Sequence, residues 1–163
     1  RRIQKQISRR LTVNRRQVRH ARIGIAVAEF NADITRKLLA GALRELRANG
    51  MPEETITVVR VPGSFELPLA CHRLAKTGRY DGLIALGCVI KGETDHYRYI
   101  AAEAARGIME VMLKFNIPIG FGVLTTDTLK QAQARAMVRP LDSAQGKSNK
   151  GAEAARAVLE MLD

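Results

Sequence analysis

The stretch from Gly87 to His96 (GCVIKGETDH) brings an anion-binding geometry and a proton carrier into a few residues. The apolar run from Gly82 to Ile90 has the length and composition of a buried strand. It breaks at Gly92 and gives way to a helical pattern that starts near Thr94 or Asp95. A strand, a glycine turn and a helix N-terminus together turn backbone N–H groups and the positive end of a dipole towards an anion. His96 sits in that first turn, and an imidazole changes charge near neutral pH. A phosphate-sized anion and an acid–base group therefore meet at one place. Such a pair suits chemistry on a phosphorylated small molecule.

The surrounding sequence predicts a frame able to hold that corner. Ile23 to Ala28 (IGIAVA) reads as a short buried strand, followed by a helix capped by Asn31 or Asp33. Ile34, Leu38, Leu39, Leu43 and Leu46 line one face of this helix, and Asn49-Gly50 ends it. Thr55 to Val61 is β-branched and stops at Pro62-Gly63, after which Phe65 to Ala75 is apolar at helical spacing. The Gly82–Ile90 strand leads into a long helix from about Asp95 to Phe115. A last strand, Pro118 to Leu124, is followed by helix start signals at Thr125-Thr126-Asp127. That helix runs to about Val138, and a polar connection from Arg139 to Lys150 leads into a final amphipathic helix with Ala152, Ala155, Val158, Leu159 and Leu162 on one side. Apolar strands alternating with helices predict an α/β fold, a flavodoxin-like three-layer αβα sandwich around a four-stranded parallel sheet. Ligands of such sheets collect at the carboxyl ends of the strands. Here those ends are Glu29 to Asn31, Gly63 to Glu66, Cys88 to His96 and Thr125-Thr126.

Charge and absent motifs narrow the chemistry. The chain has 163 residues, 46% of them hydrophobic, enough for one well-packed domain. Its net charge of +11 is concentrated in an arm, because residues 1–20 hold eight Lys or Arg and no acid. Behind the arm, residues 21–163 carry 19 basic against 16 acidic groups, a nearly neutral domain. A basic arm of this kind suits a weak acidic partner or a solvated terminus. No apolar run approaches the ~18 residues of a membrane span, and the N-terminus lacks the apolar segment of a secretory signal. Cys71 and Cys88 lie in apolar periodic segments and read as reduced, buried thiols of a cytoplasmic protein. There is no GxxxxGK[ST], no GxGxxG after the first strand, no paired acids of a phospho-receiver and no metal-ligand spacing. These absences point to an enzyme that uses neither metal nor organic cofactor. His20 and His72 have no supporting motif and read as structural or exposed.

Taken together, AEFN after the first strand, VPGSFELP after the second, GCVIKGETDHYRYI across the third, FGVLTTDTLKQAQARA after the fourth and NKG before the last helix resemble the lumazine synthase family. The resemblance covers residues 22–163 in order and spacing, apart from one insertion. It implies condensation of 5-amino-6-(D-ribitylamino)uracil with 3,4-dihydroxy-2-butanone 4-phosphate to 6,7-dimethyl-8-ribityllumazine, late in riboflavin biosynthesis, with release of phosphate and water. It implies a homo-oligomer built on pentamers, with sites between neighbouring subunits. By the same resemblance Phe30, beside Asn31, stacks on the pyrimidine ring. Ser64, Phe65 and Glu66 hold the ribityl chain and ring edge, and the backbone of Cys88, Val89 and Ile90 reads the uracil. Gly92, Glu93 and Thr94 bind the butanone phosphate, which Arg135 clamps. Phe121 and Lys150 are contributed by the adjacent subunit. His96 is the residue expected to carry the proton transfers.

Two departures from the family pattern stand out. The segment Met137 to Ser148 (MVRPLDSAQGKS) is longer than the family's, with Pro140 redirecting it, so either Lys147 or Lys150 falls at the site position. Helix packing between pentamers passes through this region in shell-forming members, and the insertion favours an isolated pentamer. The arm also departs, since only Leu11 to Val13 offers an apolar segment before the first strand. Two other readings stand beside the enzyme. One is an assembly protein that binds nucleic acid or acidic cargo through the arm, and the other is a riboflavin-binding relative without catalysis. His96 and Arg135 argue for the enzyme.

Overall fold

β1 (Ile23–Ala28) and β3 (Gly82–Ile90) run side by side through the centre of the molecule, and every residue of both except Ile90 is buried. The computed structural model describes residues 13–137 and 149–162. The first twelve residues of the basic arm, the connection from Val138 to Ser148 and the alternative site position Lys147 lie outside the described residues. The sheet is parallel throughout, with strand order β2-β1-β3-β4, where β2 is Ile56–Val61 and β4 is Ile119–Thr126. This is the predicted three-layer arrangement. On one face lie α1 (Arg15–His20), α2 (Ala32–Ala48), α5 (Leu129–Ala136) and α6 (Lys150–Glu160). On the other lie α3 (Leu67–Lys76) and α4 (His96–Phe115).

Side chains of β1 and β3 alternate strictly between the two layers. Ile23, Ile25, Val27, Ile84, Leu86 and Cys88 enter one core, whereas Ala26, Leu83, Ala85 and Val89 enter the other. Each fully buried Ile, Leu or Val contributes roughly 1.5–3 kcal/mol of transfer free energy. That core fixes the strand register and with it the heights of the loops at the carboxyl edge.

Several boundaries differ from the sequence expectation, each for a local reason. Thr125 and Thr126 continue β4 instead of starting a helix, because β3 is long enough to pair with them through Val89 and Ile90. The cap falls to Thr128, whose hydroxyl accepts from the Gln131 N–H at 3.2 Å. α5 stops at Ala136, and the Ala136 carbonyl is taken by the Asn149 side chain at 2.9 Å. α6 starts at Lys150 with Asn149 as its cap, and Ala154, rather than Ala152, is its buried residue at that level. β2 begins at Ile56 and is only half-buried, as an edge strand would be. The end of the basic arm is folded. Asn14 caps α1 through the Arg16 N–H at 3.1 Å, and Val18 is fully buried in the α2/α6 core. His20 is exposed, and His72 makes an edge-to-face contact with Phe115 at 5.0 Å.

α6 lies directly on β4, since a Cβ at Gly120 would stand 2.3 Å from the Ala154 carbonyl oxygen. Gly120→Ala should therefore cost about 1–3 kcal/mol through overpacking. Urea denaturation should show a lower midpoint with an unchanged slope. An unchanged midpoint would mean that α6 is not seated there.

Candidate active site

The chain leaves β1 towards β2 on one side and later returns to β3 on the other, so the loops after β1 and β3 diverge and leave a crevice between them. Asn31 spans this crevice. Its backbone is left-handed (φ 59°), a conformation that Asn tolerates better than most residues, and its side chain makes no helix cap. Instead Nδ2 donates to the Cys88 carbonyl at 2.8 Å, tying the end of β1 to the end of β3. Phe30, held by its N–H to the Pro62 carbonyl at 3.0 Å, is 70% exposed over the crevice. An aromatic ring of that exposure has apolar area to gain from a planar ligand.

A cavity of about 440 Å³ opens here. Among the residues singled out from sequence, Phe30, Ser64, Phe65, Glu66, Cys88, Val89, Ile90, Gly92, Thr94 and His96 all line it. Gly63, from the strand-end loop expected at this rim, lines it as well, as do Tyr97 and Ile100, to which no role was assigned from sequence. Tyr97 and Ile100 begin the buried stripe that continues through Ala104 and Ile108, so the helical period of α4 held the signal. The volume and the mainly apolar wall suit one small molecule held by a few directed polar groups.

The anion corner forms at the end of β3. The Lys91 N–H donates to the Thr126 carbonyl at 2.8 Å, which anchors the start of the turn to β4. Beyond it, the backbone N–H groups of Gly92, Glu93, Thr94 and Asp95 have no acceptor among the described residues, while the His96 N–H meets the Thr94 hydroxyl at 3.4 Å. A Cβ at Gly92 would meet nothing within 4 Å, and its φ is not in the left-handed region. The glycine is therefore not demanded by packing or backbone strain; its effect is to leave the turn's N–H groups uncovered. The exposed His96 opens α4, so its ring stands beside the same groups.

The opposite wall is built by the β2–α3 loop. Glu66 Oε2 accepts from the Gly63 N–H at 2.9 Å and so holds the turn that carries Ser64 and Phe65. This carboxylate combines a structural bond with a place on the cavity wall. Ser64 is buried against Gly87, where a Cβ would lie 2.4 Å from the Ser64 hydroxyl oxygen. Gly87 is thus required for the loop to reach β3 at all.

Five of the residues singled out do not line the cavity of this chain. Asn31 is spent on the tie just described, and Glu93 is exposed. Arg135, half-buried on α5, donates through Nη1 to the Gln131 carbonyl of its own helix at 3.0 Å. Lys150 pairs with Glu153 at 2.6 Å on α6, and Phe121 stands 49% exposed on the edge strand β4. Among the described residues no three His, Cys, Asp or Glu side chains are grouped as a metal ion would require.

Comparison with known proteins gives the family of the chain. A family model described as 6,7-dimethyl-8-ribityllumazine synthase matches residues 20–163. The chain is similar to a 6,7-dimethyl-8-ribityllumazine synthase of Halorhodospira halophila, 48% identical over 143 residues, covering 88% of this chain and 87% of the relative. It is also similar to one of Desulfovibrio desulfuricans, 44% identical over 141 residues, covering 86% of each.

Cys88 borders the cavity but turns its thiol into the α2/α6 core at 2% exposure. Burial pushes the Cys88 thiol up to about 11 and the Cys71 thiol up to about 12. A raised thiol pKa keeps the unreactive protonated form through neutral pH. Ellman's reagent should therefore label neither cysteine of the native protein near neutral pH and both after denaturation. Rapid labelling of one thiol in the native state would contradict the packing.

Proposed function

The chain belongs to the 6,7-dimethyl-8-ribityllumazine synthase family, and on that footing we propose that the crevice between β1 and β3 is where it condenses 5-amino-6-(D-ribitylamino)uracil with 3,4-dihydroxy-2-butanone 4-phosphate in riboflavin biosynthesis, releasing phosphate and water. One observation carries the assignment of the site: Gly92 and Thr94, whose N–H groups are uncovered, share a cavity rim with the His96 imidazole and the exposed Phe30 ring.

In this reading the butanone phosphate rests on the corner at the start of α4, where backbone donors and the helix dipole favour a dianion. Arg135, from elsewhere in the assembly, closes on it with the two-pronged geometry that lysine lacks. Phe30 stacks on the pyrimidine, and the backbone of Cys88, Val89 and Ile90 presents the strand-end groups that recognise the uracil edge. Ser64, Phe65 and Glu66 border the ribityl chain. Imine formation, phosphate loss, ring closure and dehydration each move a proton, and His96 is the group beside the phosphate that can give and take it. A well-placed imidazole supplies roughly 10²–10⁴-fold to such steps. Alignment of the two reactants in the crevice supplies most of the rest.

A homo-oligomer completes the site. Phe121 and Lys150 reach the crevice of a neighbouring subunit rather than their own. α4 displays Tyr99, Met109 and Leu113 on one exposed face, a stripe that a second copy would cover. The assembly is a pentamer, favoured over a closed shell by the sequence insertion that follows Ala136. It works in the cytoplasm, where two free thiols remain reduced.

Mixing both substrates with the purified protein should produce the absorbance and fluorescence of a lumazine; their absence would reject the reading. His96→Ala should lower turnover by roughly 10²–10⁴-fold without changing the particle mass measured by light scattering. An unchanged steady-state rate would remove His96 from the mechanism. Arg135→Ala should chiefly raise the KM for the phosphorylated substrate. A shift confined to the uracil's KM would place the arginine elsewhere.

A further inference from the structure

Asn149 is 6% exposed, yet its side-chain amide bonds to three elements at once. Nδ2 donates to the Ala136 carbonyl at the end of α5 (2.9 Å) and to the Lys37 carbonyl in α2 (3.1 Å). Oδ1 accepts from the Gly151 N–H (2.8 Å) and the Ala152 N–H (3.1 Å) at the start of α6. Both donor hydrogens and the acceptor oxygen are thereby used, so the orientation of the amide is fixed.

One glycine makes room for this group and a second lets α6 approach the α2 backbone. A Cβ at Gly41 would stand 2.1 Å from Asn149 Oδ1, and one at Gly151 would stand 1.9 Å from the Leu38 carbonyl oxygen. Helix capping alone does not explain such a socket. A Ser, Thr or Asp would cap α6 equally well, but a hydroxyl has one donor hydrogen and a carboxylate none, so none of them could donate to both α5 and α2. The two donor bonds are what an asparagine adds. Both cations of the proposed reaction are chain neighbours of the residues joined by the first of these bonds: Arg135 precedes Ala136, and Lys150 follows Asn149.

We propose that Asn149 is a positioning residue, which locks the end of α5 and the start of α6 onto α2 so that Arg135 and Lys150 are presented at a fixed separation to the substrates. The amide touches no substrate and acts through the two helix ends. It also closes the ends of a connection whose length then has little effect on where Arg135 stands. This inference rests on the assignment of Arg135 to the phosphate.

Steady-state kinetics of four proteins test it: the native chain, Asn149→Ala, Arg135→Ala and the double variant. Gly41→Ala serves as a milder probe that displaces the amide without removing a hydrogen-bonding group. Asn149→Ala should raise the KM for the butanone phosphate about tenfold, the order of loss that an ångström-scale misplacement produces. The KM for the pyrimidine should change less than about twofold. Competitive inhibition by inorganic phosphate should weaken in parallel, and Gly41→Ala should give a smaller change of the same kind. In the Arg135→Ala background, removal of the Asn149 amide should add nothing further to that KM. A purely structural role is the outcome if Asn149→Ala or Gly41→Ala lowers thermal stability but leaves both KM values and phosphate inhibition unchanged, or if its effect adds independently to that of Arg135→Ala; either result overturns the proposal. If Arg135→Ala alone leaves the phosphate KM unchanged, the assignment of the arginine fails instead, and the two failures are told apart.

Discussion

β3 is buried on both faces and hydrogen-bonded on both edges, so its backbone can meet a ligand only at its carboxyl end. Everything functional in this chain follows from that constraint. The strand must stop somewhere, and it stops in a turn whose N–H groups find no acceptor among the described residues. A protein interior would not tolerate such groups. At an exposed rim they are open to solvent or to an anion, and the α4 dipole favours negative charge there. The imidazole is then placed by covalent connectivity alone, since His96 is the first residue of that helix.

The walls of the crevice are held by side chains that spend their polarity on the protein. Asn31 ties β1 to the Cys88 carbonyl, and Glu66 closes its own turn on Gly63. Both residues make the cavity rigid before any ligand enters, which lowers the ordering cost of binding. The groups left for the ligand are the exposed rings of Phe30 and Phe65 and the corner itself. The cations stand apart from this cavity, on α5 and α6.

Much of this was legible in sequence because it depends on local pattern. The bounds of β1 and β3, the order of elements and ten of the cavity residues follow from apolar runs, glycine breaks and motif positions. What sequence did not give depends on partners distant along the chain. Thr125 and Thr126 look like helix starts until β3 offers them a ladder. Val18 looks like part of a charged arm until the α2/α6 core receives it. Asn149 stands in sequence only as part of the NKG before the last helix, and its bonds to the Ala136 and Lys37 carbonyls appear only in the fold. Local chemistry names the groups, and packing decides which of them meet.

The position of a bound phosphate tests the central claim most directly. In a crystal of the native protein soaked with inorganic phosphate, the account predicts an anion hydrogen-bonded to the backbone N–H groups between Gly92 and Thr94, with the His96 ring facing the space beside it. Phosphate settling elsewhere while that turn is covered by another segment of protein would contradict it.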